Sequence, residues 1–267
     1  MAELRDRKNL APPGSQRLFA DFATASDLVA RIGLDADSNV HTSRRLLTLF
    51  ESDWIFNKDA REMMVQRLLE RYCSDYCPSS NYCVDHPVVV PHFLLNDAVR
   101  FWRTMTVDFG AKQWSALRDD WGLRYHKLLT TRKVLFAGTL STLFRTEVAF
   151  REVADDQQSR YDALIAYLTE EFGVPPLERL MRCYGLVAES DSRAALVAIL
   201  DAYNQFIDIL DLPEARTVLS TNELTDDGEI EIRQRADWCA QVIGEQLQRL
   251  FFDEPLFAQL TREYGLF

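Results

Sequence analysis

Apolar positions recur along this chain at three- and four-residue intervals almost everywhere and alternate almost nowhere. Leu18, Phe22, Leu28, Val29 and Ile32 form one such set, Leu46, Leu49, Phe50 and Trp54 a second, and Met64, Leu68, Leu69 and Tyr72 a third. Spacing of this kind gathers side chains on one side of a 3.6-residue turn and predicts amphipathic helices. The predicted spans are 15–32, with a restart at Ser26 and a stop at Gly33, then a helix capped by Thr42 or Ser43, and another capped by Asn57 or Asp59. Residues 73–91 break the pattern. Helices resume over 93–109, ending at Gly110, then 112–118 and 122–150, and later over 156–172, 176–184, 190–210, 233–252 and 255–264. Pro255 stands where proline suits a first helical turn. One weak strand candidate, 229–232, sits among flanking charges that favour an extended loop or a helix start.

The expectation is therefore an all-α protein, an irregular multi-helix bundle. Residues 1–14, charged and then Pro-Pro-Gly, read as a flexible lead-in. Residues 15–267 read as one helical domain, with a division into two helical subdomains near residue 155 as the alternative. Only 10 Gly and 9 Pro punctuate 267 residues, which favours long helices over a turn-rich β architecture.

Charge changes this picture in one place. The chain as a whole carries −11, yet residues 92–138 hold 8 basic and 4 acidic side chains. An acidic body disfavours loose binding to nucleic acid, which needs phosphate neutralisation, while the basic middle leaves room for an anion held locally. Five Cys is an odd number, the N-terminus has no apolar signal segment, and no run approaches the ~20 apolar residues of a membrane span. A cytoplasmic protein with reduced thiols and no membrane contact is expected.

Two clusters carry candidate chemistry. Cys73, Cys77, Cys83 and His86, with His92 beyond, fall in the non-helical stretch, and three thiolates plus an imidazole would close a tetrahedral zinc site. Their spacing matches no standard finger or ribbon, and buried thiols are common in helical cores. No cofactor is the stronger expectation, with zinc as the alternative. The second cluster comprises Asn96, Asp97, Arg100, Arg103, Arg124, Lys127 and Arg132. On successive helices these residues form polar stripes that two antiparallel rods would turn toward a common groove, where Arg and Lys would hold a phosphate-bearing ligand. A buried ion-pair network is the competing reading, with Asp97 bound to Arg100 and Asp108 to Arg103 or Arg124. It is the stronger one, because interleaved Asp, Asn and Arg satisfy each other before a ligand is needed.

The strings HFLLNDAVRFWRT (92–104), Val107-Asp108, WGLR from Trp121, Lys127 and RKVLFAG (132–138) resemble a helical region of bacterial nucleotidyltransferases of the polymerase-β superfamily, where it follows the catalytic domain. SRRLLTLFES (43–52) is similar to the segment joining the two. The resemblance covers about residues 30–145. It implies a free-standing helical homologue or a piece of something larger, since the chain begins about where the catalytic domain would end, and it transfers no catalytic residue. Gly14-Ser15 followed by Ser26-Asp27 has the spacing of that superfamily's active-site start. The chemistry also needs a second carboxylate two residues on, where Val29 stands, and Asp35-x-Asp37 lacks a phosphate-binding turn around it. Phosphate-loop, dinucleotide, zincin and nucleophile-elbow patterns are absent, and no Arg lies four to six residues before a His.

A non-catalytic helical accessory module is the leading expectation. Its partner would be a protein, such as a separately encoded nucleotidyltransferase in a toxin–antitoxin or phage-defence pair, or a phosphate-bearing ligand. The alternative is a nucleotide- or RNA-processing enzyme with its site on the 92–138 helices.

Overall fold

The computed structural model describes residues 23–55, 57–79, 90–114, 121–150, 156–187, 190–221 and 226–265. In chain order its helices are α1 (Ala25–Ala30), α2 (Asn39–Phe50), α3 (Lys58–Tyr72), α4 (His92–Trp114), α5 (Trp121–Lys127) and α6 (Lys133–Phe150). They continue as α7 (Gln157–Glu171), α8 (Pro176–Met181), α9 (Ser190–Asp211), α10 (Ala215–Ser220), α11 (Asp227–Gln248) and α12 (Pro255–Tyr264). Wide π turns at Leu128–Arg132 and Arg249–Asp253 join α5 to α6 and α11 to α12. No strand occurs among the described residues. The protein is all-α, and none of the described helices is long and apolar enough to cross a membrane.

Local chemistry sets the helix starts. The side chains of Thr24, Ser38, Asn57, Asp156, Asp226 and Glu254 each accept from a backbone N–H of the first turn, which satisfies donors that have no partner within the helix. Ser38 thus opens α2 four residues before the expected Thr42, and its hydroxyl also meets His41 Nδ1 at 2.8 Å. Asp226 starts α11 ahead of 229–232, so the strand candidate is helical. Gly33, at φ +77°, ends the turn after α1 in the left-handed region that glycine tolerates. Gly110 does not end α4, which runs unbroken to Trp114. Phe109, beside it, packs on Trp121 and Tyr125 with ring centroids 5.7 and 5.9 Å apart, contacts that outweigh the roughly 1 kcal/mol helix cost of a glycine.

One continuous cluster of buried apolar side chains extends from Leu28 on α1 to Leu260 on α12. Its axis is α6, buried on nearly every side, as a helix at the centre of a bundle must be. Four hydroxyls in α6 are buried with it: Thr139, Ser141, Thr142 and Thr146. Each donates to a carbonyl of its own helix at 2.6–3.0 Å, so none is stranded. Gly138 lies against the Pro176 carbonyl, where any Cβ would overlap. That close approach seats the start of α8 on α6.

Candidate functional site

Two groups of charged side chains divide the residues that the sequence singled out. The first surrounds Arg45, on the inner face of α2 and fully buried. Its Nη1 and Nη2 donate to the two carboxylate oxygens of Asp37 at 2.6 Å each, the fork-on-fork geometry of a strong charge-assisted pair. Nη2 also reaches Asp97 Oδ2 of α4 at 2.5 Å, and Nε donates to the Tyr72 hydroxyl of α3 at 2.5 Å. Tyr72 in turn donates to Asp97 Oδ2 at 2.6 Å. Arg100 closes the assembly from the surface, donating to the Asp37 carbonyl and to Asn39 Oδ1 at 3.1 Å each.

Burial by itself would lower the Arg45 pKa, but its bonds to Asp37, Asp97 and Tyr72, with Tyr72's charge interaction, overcome that and hold it above its ordinary value. Tyr72 is pushed up by burial and by the neighbouring Asp97. The hub thus joins the loop before α2 to α2, α3 and α4. Its guanidinium and carboxylates are saturated by one another, which makes it a structural device.

The second group lies on α5 and the π turn. Arg124 and Lys127 are one turn apart on α5, and Arg132 ends the wide turn that follows. Arg216 joins them from α10, because Gly122 lets α10 come up against α5: a Cβ there would overlap the Leu219 carbonyl. The frame is braced on two further sides. Arg233 of α11 donates to the Val218 carbonyl at 2.7 Å and to the Thr221 carbonyl, holding the end of α10. His126 meets the Gly122 carbonyl through Nδ1 at 2.7 Å and Asp237 of α11 through Nε2 at 2.8 Å.

The Lys127 ammonium is half-buried among these cations. Burial lowers its pKa, and the charges of Arg216, Arg132 and Arg124 lower it further. Arg132 pairs with Glu51 at the end of α2. At the mouth of the wide turn, the Thr130 and Thr131 hydroxyls donate to the His126 and Lys127 carbonyls at 2.6 and 3.1 Å. Widened turns of this kind are often found at functional positions.

The structure therefore brings Arg124, Lys127 and Arg132 together and places Asp97 and Arg100 elsewhere, at the Arg45 hub. Asn96 and Arg103 are exposed and sit in neither group. The common groove expected between the two rods is not formed as drawn. The side of α4 that meets α5 and α6 is aromatic, with Trp102 stacked on Phe136 at 5.2 Å and Phe109 against Trp121 and Tyr125. Asp97 turns to Arg45 of α2 instead. Arg45, Asp37, Tyr72 and Arg216 escaped the sequence reading. Arg45 left a trace, an arginine on the same helical face as Leu46 and Leu49; Arg216 left none.

Of the zinc candidates, Cys83 and His86 lie outside the described residues. Cys73 is buried at the end of α3 and Cys77 half-buried, both as free thiols, and burial pushes the Cys73 thiol well up. Among the described residues no three His, Cys, Asp or Glu side chains are grouped to hold a metal. Cys183 and Cys239 are buried and pushed up to about 12 and about 11, so neither is primed as a nucleophile.

A further arginine contrasts with both groups. Arg179 of α8 is fully buried and donates once, to the Phe50 carbonyl at 2.6 Å, with its guanidinium 5.1 Å from the centre of the Phe172 ring. Its Nε and Nη1 have no hydrogen-bond partner among the described residues, and burial pulls its pKa down to about 10. It caps the C-terminal end of α2 with a charge of the sign that end favours.

No known protein family matches the chain, and no curated protein or solved structure matches it either.

Proposed function

We propose that this protein is a non-catalytic helical binding module that takes a phosphate-bearing ligand on the face formed by Arg124, Lys127, Arg132 and Arg216. One observation carries the reading: the charges of Arg124, Arg132 and Arg216 converge on Lys127 from two helices and a wide turn, with Glu51 on Arg132 at the edge, in a chain whose net charge is −11. Gathering like charges costs free energy, and an anion seated among them returns it. Guanidinium forks suit the oxygens of a phosphate bidentately, with the lysine as a point charge. The residues stand on braced helices, an arrangement that limits the ordering cost of binding. The likeness of 92–138 to a nucleotidyltransferase-associated helical region supports a nucleotide-like polyphosphate as ligand and an accessory role beside a separate enzyme.

Thermal unfolding with inorganic phosphate, pyrophosphate and ATP, against sodium chloride at equal ionic strength, tests this. A ligand at a hundredfold its Kd stabilises by about 2.7 kcal/mol. The wild type should gain stability with the phosphates, and Lys127→Met combined with Arg216→Met should lose most of that gain. An equal response of wild type and variant, or an equal response to chloride, would sink the proposal.

A further inference from the structure

A groove opens beside the end of α2, where Glu51 holds Arg132 and the Ser52 carbonyl accepts from Arg61. Helices α3 and α7 run antiparallel along it. At one end, Arg61 of α3 donates to the Phe172 carbonyl at 3.0 Å; at the other, Tyr161 of α7 lines the groove together with Glu70 of α3. The groove between them has a volume of about 780 Å3.

Its walls carry carboxylates in register. Glu62 of α3 and Glu170 of α7 line the end near Arg61, and Glu70 and Asp162 line the other. Eight residues separate the two pairs along each helix, about 12 Å at 1.5 Å per residue.

Two cations line the groove, and both are already engaged. Arg61 donates inward to the Ser52 and Phe172 carbonyls at 2.9 and 3.0 Å, and Lys58 pairs with Glu62 at 3.4 Å. Glu70 and Asp162 accept from Gln66 and Gln158 of their own helices at 2.8 Å each, and with Lys58 and Arg61 counted the walls stay net acidic. An apolar lip adjoins the Glu62–Glu170 end: Trp54 lines it at 49% exposure, and Ile55 beside it is 99% exposed. An isoleucine held out in water next to a half-exposed tryptophan is the kind of surface that a partner covers.

We propose that the α3–α7 groove is the docking site of a basic amphipathic helix from a partner protein, with Lys or Arg side chains two turns apart seated between the two carboxylate pairs. A helix fits for three reasons. Two antiparallel helices offer a third a long shallow trough. The spacing of about 12 Å is that of residues seven or eight apart on a helix. Trp54 and Ile55 supply an apolar anchor point at one end, the usual seat of binding energy. The four carboxylates supply orientation and on-rate through complementarity.

The full chain is titrated into a fluorescein-labelled leucine–lysine amphipathic helix of about 18 residues, long enough to follow the groove, and into its leucine–glutamate counterpart, with anisotropy as the readout. The leucine–lysine helix should bind saturably and the glutamate analogue should not. Glu70→Lys with Glu170→Lys, one from each pair, should weaken binding roughly tenfold. Glu231→Lys with Glu245→Lys, the same charge change on α11, should weaken it less than about twofold, because exposed charges that far away are screened. Trp54→Ala should weaken it by roughly fivefold or more. Equal weakening by the two double variants would show attraction to net charge alone and overturn the proposal. Indifference to Trp54→Ala, binding of the glutamate analogue, or no binding of the lysine helix would overturn it as well. Circular dichroism and melting of each variant confirm that the helices are intact when binding is read.

Discussion

The Arg45 hub and the Lys127 cluster are built from the same residue types and do opposite things. Around Arg45, one guanidinium meets two carboxylates and a phenol, all within 2.6 Å and out of solvent. Around Lys127, three guanidiniums approach an ammonium at the surface, and the lysine is harder to keep charged for it. Cations saturated by carboxylates hold helices together; a lysine set among guanidiniums is placed where an anion would relieve their repulsion. The local sequences differ as well: Asp and Asn interleave with Arg around the hub, whereas 121–132 and 215–220 contain neither. What separates them further is how many acids the neighbours supply: two carboxylates grip Arg45, while Lys127 faces Arg216 of α10 and Glu51 reaches only Arg132.

The sharpest way to break that contrast is to remove Arg45. Arg45→Met strands Asp37 and Asp97, and urea unfolding should show a loss of about 3–5 kcal/mol. Restoring neutrality with Asp37→Asn and Asp97→Asn in the same chain should recover a large part of it. If Arg45→Met alone were tolerated within about 0.5 kcal/mol, the hub would not be the structural device described.

Gly122→Ala comes next, since it pushes α10 off α5. An overpacked contact of this kind costs about 1–3 kcal/mol, and by displacing Arg216 it should also blunt the stabilisation by phosphate. Retention of the full phosphate response would mean that Arg216 takes no part in the cluster.

Arg179→Met should lie within about 1 kcal/mol of wild type, in contrast to Arg45→Met, because this buried guanidinium has one hydrogen bond to lose and no buried carboxylate to abandon. A loss as large as that of Arg45→Met would erase the distinction between paired and unpaired buried arginine.

The smallest effect belongs to Lys127→Met. A lysine held below its ordinary value of 10.5 penalises the fold while it is protonated, and wild-type stability recovers that penalty as pH rises through the depressed value toward 10.5. Lys127→Met should therefore be slightly more stable at pH 7, by less than about 1 kcal/mol once solvent screening is allowed for. The advantage should fade as pH approaches 10.5. Denaturant midpoints at pH 7 and pH 10 measure it, and a constant difference would contradict the assigned cause.

Much of this molecule could be read from its amino acids. The helical periodicity predicted an all-α fold, with one weak strand candidate that lies within α11, Asn57 was among the caps proposed for α3, and Gly33 stops its turn as expected. Misreadings followed from tertiary contacts that periodicity does not contain. Gly110 looked like a terminus because its propensity is poor, yet the Phe109 contacts carry the helix past it. Thr42 or Ser43 looked like the cap of α2, yet the polar residues ahead of them supply both the cap, Ser38, and the Asp37 carboxylate for Arg45. Of the candidate site, Arg124, Lys127 and Arg132 were visible as a local run. Arg216 lies more than eighty residues away in an unremarkable helix, and only the notch at Gly122 delivers it.

The wide turn at Leu128–Arg132 has one consequence beyond its own hydrogen bonds. It holds an extra residue within what would otherwise be a single rod, so the part bearing Lys127 is out of phase with the core helix that follows. Excising one of those five residues would let the rod wind regularly and rotate one half by about 100° against the other. With α6 locked by its packing, the whole rotation would fall on Arg124 and Lys127. An indel of one codon at this joint could thus re-aim the cationic face while leaving every core contact of α6 in place, a cheap way for relatives of this chain to trade one ligand for another.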